Sequence, residues 1–444
     1  MLQKLNELTD DYSLTRVPKE KRTSFWSVFF VRIGALTALS QLILGAALGY
    51  GMSFWDAFWA TMLGSVILEV VSIFIGIAGA REGLSTSLLT RWTGFGKYGS
   101  AIVGAVLAVS CIGWFGIQNT VFAQGIYRSL HGAISLPIIM AITGLAVTVL
   151  VIYGFKWLSW TAYITVPAFL IVVGYGIYQV LSHYSIDSLV SGTHPGPALS
   201  LGAAATMVAG GFMAGAVITP DYTRFCKNGK HVFWMSVISI FLGELGVNMI
   251  GVLMAHAIRS NDVVTILLDT SGWLGAAIVI LATVKINDSN LYSSSLGFNS
   301  LIESIFKVRI NRGVMTLIVG VLGTILSMVG ILDKFQGFLI LLGVWIPPIG
   351  AILVVDYFIL KTSRPLLDLT RQKGALPDQI ESINYIALLA WVAGFLAGYY
   401  IQFGIPSVNA LIGSGVVYYA GMKIKKYFEV RNGKMDHVTN YDVH

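Results

Sequence analysis

The chain has 444 residues, of which 55% are apolar and only 11% charged, and its mean hydropathy is +0.75. Soluble domains carry about a quarter charged residues, so this composition excludes a soluble enzyme and points to a polytopic membrane protein. The net charge of +7 invites a nucleic-acid reading, which the placement of the charges removes.

A helix needs about 20 mostly apolar residues to cross the hydrocarbon. After a polar tail (1–24), the first five such runs are 25–49, 54–80, 99–127, 133–153 and 157–182. Five more follow at 198–219, 231–257, 272–299, 314–332 and 335–360, then two at 384–402 and 405–423, and a tail at 424–444. The order of charge and apolar run at the start argues against a cleaved signal peptide. The expected architecture is an all-α membrane protein with 12 transmembrane helices. The spans fall into a first five-helix half (25–182), a second five-helix half (198–360) and two closing spans (384–423).

Of the 29 Lys and Arg residues, 24 fall in segments on the side of both tails. Only Arg128, Arg259 and Lys334 fall in the opposite loops, while Arg32 and Lys285 lie inside spans. The positive-inside rule then places both termini in the cytoplasm, with the protein in the cell membrane. The basic surplus orients the chain and meets anionic lipid. Cys111 and Cys226 cannot build a disulfide framework and read as small buried hydrophobes.

Spans 1 and 6 occupy corresponding places in the two five-helix halves. Span 1, "RIGALTALSQLILGAALGYG", has Ser40 and Gln41 at its centre. Span 6, "AATMVAGGFMAGAVITPDYTRF", has Gly210 and Gly211 at its centre, Gly215 a turn later, and Pro220 at its end. Both are expected to be broken, because interrupted helices in matching positions mark a transporter's binding site. The alternative use of such glycines is close helix packing.

Span 8 contains "ATVKINDSNLY", with Lys285 near its middle. A cation at that depth costs about 2.5–3.5 kcal/mol on insertion scales, so a functional reason is expected. Glu69 in span 2 and Glu244 in span 7 are the deep anions available to pair with it. Arg32, nearer the cytoplasmic end of span 1, is expected to snorkel or to pair with an inner-gate acid.

Taken in order, "GWFG" (113–116), "DYTRF" (221–225), "ND" with "LY" (287–292), "IPPIGAILVVDYF" (346–358) and "PSVNALIGS" (406–414) resemble the nucleobase–cation symporter family of purine and cytosine permease type. The resemblance implies a LeuT-type fold, with 5+5 inverted repeats plus two C-terminal helices, and alternating-access uptake of a base or related N-heterocycle. Trp114 and Phe212 match the aromatics that sandwich the base, whose flat faces suit a planar ring. Asn287 matches an amide that reads the base's edge with donor and acceptor together.

The chain also departs from the family pattern. A phenylalanine that closes over the base falls at Ala38, a glutamine at Cys111, and two serines at Gly211 and Ala214. Gln41, Gln118, Asn119 and Gln124 add polar groups elsewhere, which favours a purine over cytosine. The family's sodium-coordinating positions in span 8 read Ala282, Lys285 and Ile286, without a side-chain oxygen for a hard cation. Lys285 is therefore expected to replace the sodium ion and to couple transport to protons, with Glu69 or Glu244 nearby. Sodium is not expected as a partner. An uncoupled facilitator, or a transporter of a small cationic amine or amino-acid-like solute, is the alternative. No nucleophile elbow, phosphate loop or metal-ligand spacing occurs, so no enzyme activity, cofactor, metal or obligatory protein partner is expected.

Overall fold

Apolar runs of this length become helices because a backbone in hydrocarbon must satisfy its own N–H and C=O groups. The computed structural model describes residues 12, 15–36, 39–153, 155–308 and 310–431; of these, the side chains of residues 31, 34, 35, 153, 155–166, 270, 285 and 312 lie outside the description. Each predicted span falls on helix. Span 1 is α1 (Phe25–Leu36) and α2 (Leu39–Gly51); residues 37 and 38 between them lie outside the described residues. α3 (Phe54–Glu82), the short α4 (Thr86–Trp92), α5 (Gly96–Ser129), α6 (Leu136–Tyr153), α7 (Phe155–His183) and the short α8 (Ile186–Ser191) complete the first half.

The second half holds α9 (Leu201–Val217), the single turn α10 (Pro220–Thr223), α11 (Gly229–Ser239) and α12 (Gly246–Ile258). A π-helical turn, Ile240–Leu245, joins α11 to α12. Then come α13 (Val263–Phe306), α14 (Arg312–Met328), α15 (Phe335–Trp345) and α16 (Pro347–Val354), the last running into a second π turn at Val355–Leu360. The chain closes with α17 (Arg364–Gln372), α18 (Tyr385–Tyr400) and α19 (Pro406–Arg431). Among the described residues, six helical stretches are by themselves long and apolar enough to cross a membrane, and five shorter apolar helices accompany them.

Local signals set the ends. Ser53 caps α3 by accepting the Asp56 N–H at 3.2 Å, and Gly83 stops it in the left-handed conformation. Asp262 caps α13 by accepting the Val264 N–H at 2.9 Å. Inside α13, Gly272 has φ 57° and ψ −139°, a backbone that only glycine takes without strain. That kink falls where span 8 was predicted to begin, and it separates an entry segment from the membrane helix.

The expected break of span 6 at Gly210–Gly211 does not occur. α9 is helical from Leu201 to Val217, and the chain leaves it only at Ile218, before Pro220. The reason is packing. A Cβ on Gly210 would strike the Leu339 carbonyl oxygen of α15, and one on Gly343 would strike the Thr206 carbonyl oxygen of α9. Small residues let these backbones approach, which drives helix association in lipid.

The end of the bundle that carries the basic tails is tied by ions. Arg16 donates to the Glu82 carboxylate at 2.9 Å and to the Glu82, Leu367 and Ala375 carbonyls. Glu82 also accepts from Tyr357 Oη and Arg371, each at 2.6 Å. Thr23 pairs with Cys226 in a single extended bridge. Cys226 is buried, as expected, and burial pushes its thiol up to about 12.

Candidate functional site

Close approaches fix the register of the central helices. α5 and α13 run antiparallel, with Gly104 against Gly297 and Gly125 against Val279. That register sets residues 114–118 level with residues 285–288. On α5, the Trp114 ring stands edge-on to Phe335 and Phe338 of α15, at 6.0 and 5.7 Å between centroids. Leu339, next to Phe338, meets Gly210 of α9, and Gly211 faces Leu44 of α2. Five helices therefore meet at one level: α2, α5, α9, α13 and α15. Trp114, Gly211, Gln118 and Asn287 all belong to it, with Gln41 one turn before Leu44.

Buried polar groups at this level are left without partners. Gln41, Gln118 and Asn287 are each at most 4% exposed. Among the described residues, Gln41 Oε1, Gln118 Oε1 and Asn287 Nδ2 have no hydrogen-bond partner, although Asn287 Oδ1 accepts from Asn290 at 3.2 Å. Asn248 of α12, fully buried and packed on Gly45, has neither amide atom satisfied among the described residues. Its signal in the sequence was a lone amide in the apolar run "GVNMIGVLM", which motif matching passed over. Leaving such a group unpaired costs about 1–3 kcal/mol. A ligand or water that supplies the missing bonds relieves that cost.

Asn119, one residue from Gln118, makes the contrast. It donates to the Met140 carbonyl and to Ser327 Oγ, each at 2.9 Å, and accepts from Thr143 at 2.8 Å. It ties α5 to α6 and α14, with both of its amide hydrogens already used. Ala38 lies outside the described residues. The backbone of Lys285 is in α13, but its side chain is outside the description. Ala282 is buried and Ile286 half-buried beside it.

Below this level lies a charged cluster. Arg32 is 1% exposed and does not snorkel. Its guanidinium pairs with the Glu69 carboxylate, donates to Tyr222 Oη at 2.6 Å and to Ser239 Oγ at 3.4 Å. It also lies 5.5 Å from the centre of the Phe212 ring. Glu69, one of the two acids expected near Lys285, is paired with Arg32, whose guanidinium fork suits a carboxylate. Phe212 touches this cluster on one side, while its chain neighbour Gly211 faces α2. Glu244 sits in the π turn, 1% exposed, and neither carboxylate oxygen has a hydrogen-bond partner among the described residues. None of the described residues forms a group of three or more His, Cys, Asp or Glu able to hold a metal.

Comparison with known proteins speaks to the family and the fold. Residues 16–420 match the family of permeases for cytosine/purines, uracil, thiamine and allantoin. The cytosine permease of Escherichia coli (strain K12) is 28% identical over 411 residues, covering 92% of this chain and 93% of that one. The hydantoin permease of Microbacterium maritypicum is 24% identical, covering 90% of this chain and 84% of that one. Among solved structures, the inward-facing conformation of Mhp1 superposes with a TM-score of 0.79 at 20% identity, covering 93% of both chains. Mhp1 closed with bromovinylhydantoin bound, described as a nucleobase-cation-symport-1 family transporter, gives 0.74 over 93% of this chain and 94% of that one. The fold is that of Mhp1, and these relatives are permeases and transporters, not enzymes. A multi-pass helical transporter of the nucleobase–cation symporter family is what this chain is.

Proposed function

We propose that the protein imports a nucleobase or related N-heterocycle by alternating access, with a purine favoured over cytosine and without sodium. Trp114 and Phe212 flank the planar ring, and Asn287, Gln41 and Gln118 read its edge. The observation that carries this is the set of buried, unpartnered amides at the level of Trp114. Gln41 and Gln118 each leave an acceptor unmet and Asn287 a donor, which suits a ring bearing amino, imino and carbonyl groups. The small residue types at positions 38 and 211 favour a ring larger than cytosine. Twelve spans, an inverted 5+5 repeat and an interrupted span 1 complete the proposed architecture.

Proton coupling, with Lys285 in place of the sodium ion, is part of the same reading. It is supported by Ala282 and Ile286, which bring no side-chain oxygen to the α13 positions beside Lys285. The distribution of Lys and Arg supports a place in the cell membrane with both termini inside.

Uptake of labelled adenine and of labelled cytosine into cells, each challenged with unlabelled purines and pyrimidines, tests the substrate. Purines are expected to compete for both. Competition by cytosine alone would refute the preference, and uptake that needs sodium would refute the coupling.

A further inference from the structure

We propose that Glu244 is the side chain that binds the transported proton, loading and releasing it beside the Arg32–Glu69 pair. This rests on proton coupling and deepens it. The site lies away from Lys285's helix, where α1, α3, α11 and the π turn meet. Glu244 is buried to 1% exposure, and its two carboxylate oxygens lack hydrogen-bond partners among the described residues. An ionised carboxylate left that way in a membrane protein is far more costly than a protonated one, since nothing but a proton or a counter-ion relieves it.

The surrounding groups decide which of the two it takes. From α3 the Glu69 carboxylate acts on Glu244 and the Ser65 hydroxyl faces it without forming a hydrogen bond; from α1 the Arg32 guanidinium acts on it. α10 contributes Tyr222, bonded to Arg32. α11 contributes Ser239, which donates to the Ser236 carbonyl and lies 3.5 Å from Glu69, with His231 at its far end beside Phe25. On α12, His256 bridges the Leu189 and Met52 carbonyls at the opposite end. With all three charged groups ionised, the cluster holds two carboxylates and one guanidinium, a net single negative charge. Glu69 already uses the guanidinium. One proton on Glu244 neutralises the cluster. A sodium ion would need several oxygens and would sit near a guanidinium, which repels it.

The position links that proton to α1 and to the proposed substrate aromatic. Gly243, next to Glu244, packs on Leu36, the last described residue of α1 before positions 37 and 38. Arg32, a turn earlier on α1, stacks on Phe212 of α9. Charging Glu244 therefore changes the field on the same guanidinium that touches the proposed substrate aromatic. The π turn that holds Glu244 is a distortion common at functional sites, and here it turns the carboxylate toward α1 and α3.

The test uses the full chain in proteoliposomes, with labelled adenine and labelled cytosine as probes. An inward proton gradient drives about tenfold accumulation per pH unit for one proton per substrate. The wild type is expected to accumulate probe, Glu244→Asp to keep accumulation, and Glu244→Gln to lose it while counterflow exchange stays within about twofold. Infrared difference spectra on acidification, taken on wild type and on Glu244→Gln, supply a readout independent of transport. A protonated-carboxyl band absent from Glu244→Gln is expected. Gradient-driven accumulation by Glu244→Gln, or spectra identical in the two proteins, overturns the proposal. Lys285→Ala separates the two levels. If the carboxyl band belongs to Glu244 but wild-type accumulation follows sodium, proton coupling fails and the proposal falls with it, leaving Glu244 a buried carboxyl that titrates without driving transport. If accumulation follows the proton gradient and only Lys285→Ala abolishes it, the Glu244 assignment fails alone.

Discussion

Arg32 and Glu69 each stand as a lone charge in an apolar run, and each is costly in the membrane without the other. Removing one partner of a buried pair leaves an uncompensated charge and destabilises by about 3–5 kcal/mol, whereas replacing both with apolar residues of similar size is close to neutral. Arg32→Met is therefore expected to lower the melting temperature of the purified protein strongly, and Arg32→Met with Glu69→Leu to recover most of the loss. A mild single variant would show that the pair does not form. Gln118 calls for the opposite outcome. Its Oε1 is buried and unpartnered, so Gln118→Leu removes an unmet hydrogen bond and is expected to leave stability unchanged or raise it by about 1 kcal/mol. Probe binding, measured by thermal shift with adenine, is expected to weaken in the same variant. A large loss of stability would make Gln118 structural. The residues of the family motifs were legible in sequence because their types and order are distinctive. The pairing of Arg32 with Glu69 was not legible: the sequence offered Arg32 only snorkelling or an unnamed inner-gate acid, since nothing in a one-dimensional string sets the rotation of α1 against α3.

At the scale of elements, hydropathy placed the helices well, because the bilayer fixes both their length and their apolar character. It failed at Gly210–Gly211, where composition alone cannot separate a hinge from a contact. The backbone of α15 approaching α9 settles that question as a contact. Gly210→Ala is expected to cost about 1–3 kcal/mol by overpacking against Leu339. Gly337, on the same α15, has open space where a Cβ would lie. Gly337→Ala is expected to be neutral or to stabilise by up to about 1 kcal/mol through helix propensity. Melting curves of the two variants under one detergent condition compare them directly, and equal effects would contradict the close contact. The kink at Gly272 was similarly out of reach, although the predicted start of span 8 fell on it: a glycine inside a helical pattern announces a positive φ no more than it announces packing.

At the scale of the whole molecule, the basic end is held by a mesh that no single motif reveals, because its members lie hundreds of residues apart. Glu82 gathers Arg16 from the N-terminal segment, Tyr357 from the π turn after α16, and Arg371 from α17. Beside it, Asp368 accepts from Arg81 at 3.0 Å and from Arg371 at 2.6 Å. Partial burial alone would raise the Asp368 carboxyl, but the hydrogen bonds from Arg371 and Arg81 outweigh it and hold the carboxyl below its ordinary value. A depressed folded-state value stabilises the fold above the unfolded value, near pH 3.9, and that contribution fades as pH falls through the lower folded value. With the side chain one-third exposed, water and salt screen the pairs, so the contribution stays under about 1 kcal/mol. The melting temperature of Asp368→Asn is therefore expected to lie slightly and constantly below that of wild type above about pH 4, with the gap closing on further acidification. Raising the ionic strength shrinks the gap at every pH, because these charges face solvent. A gap that widens toward acid would mean that Asp368 is protonated where it pairs, and that Glu82 alone anchors α17 to the end of α3.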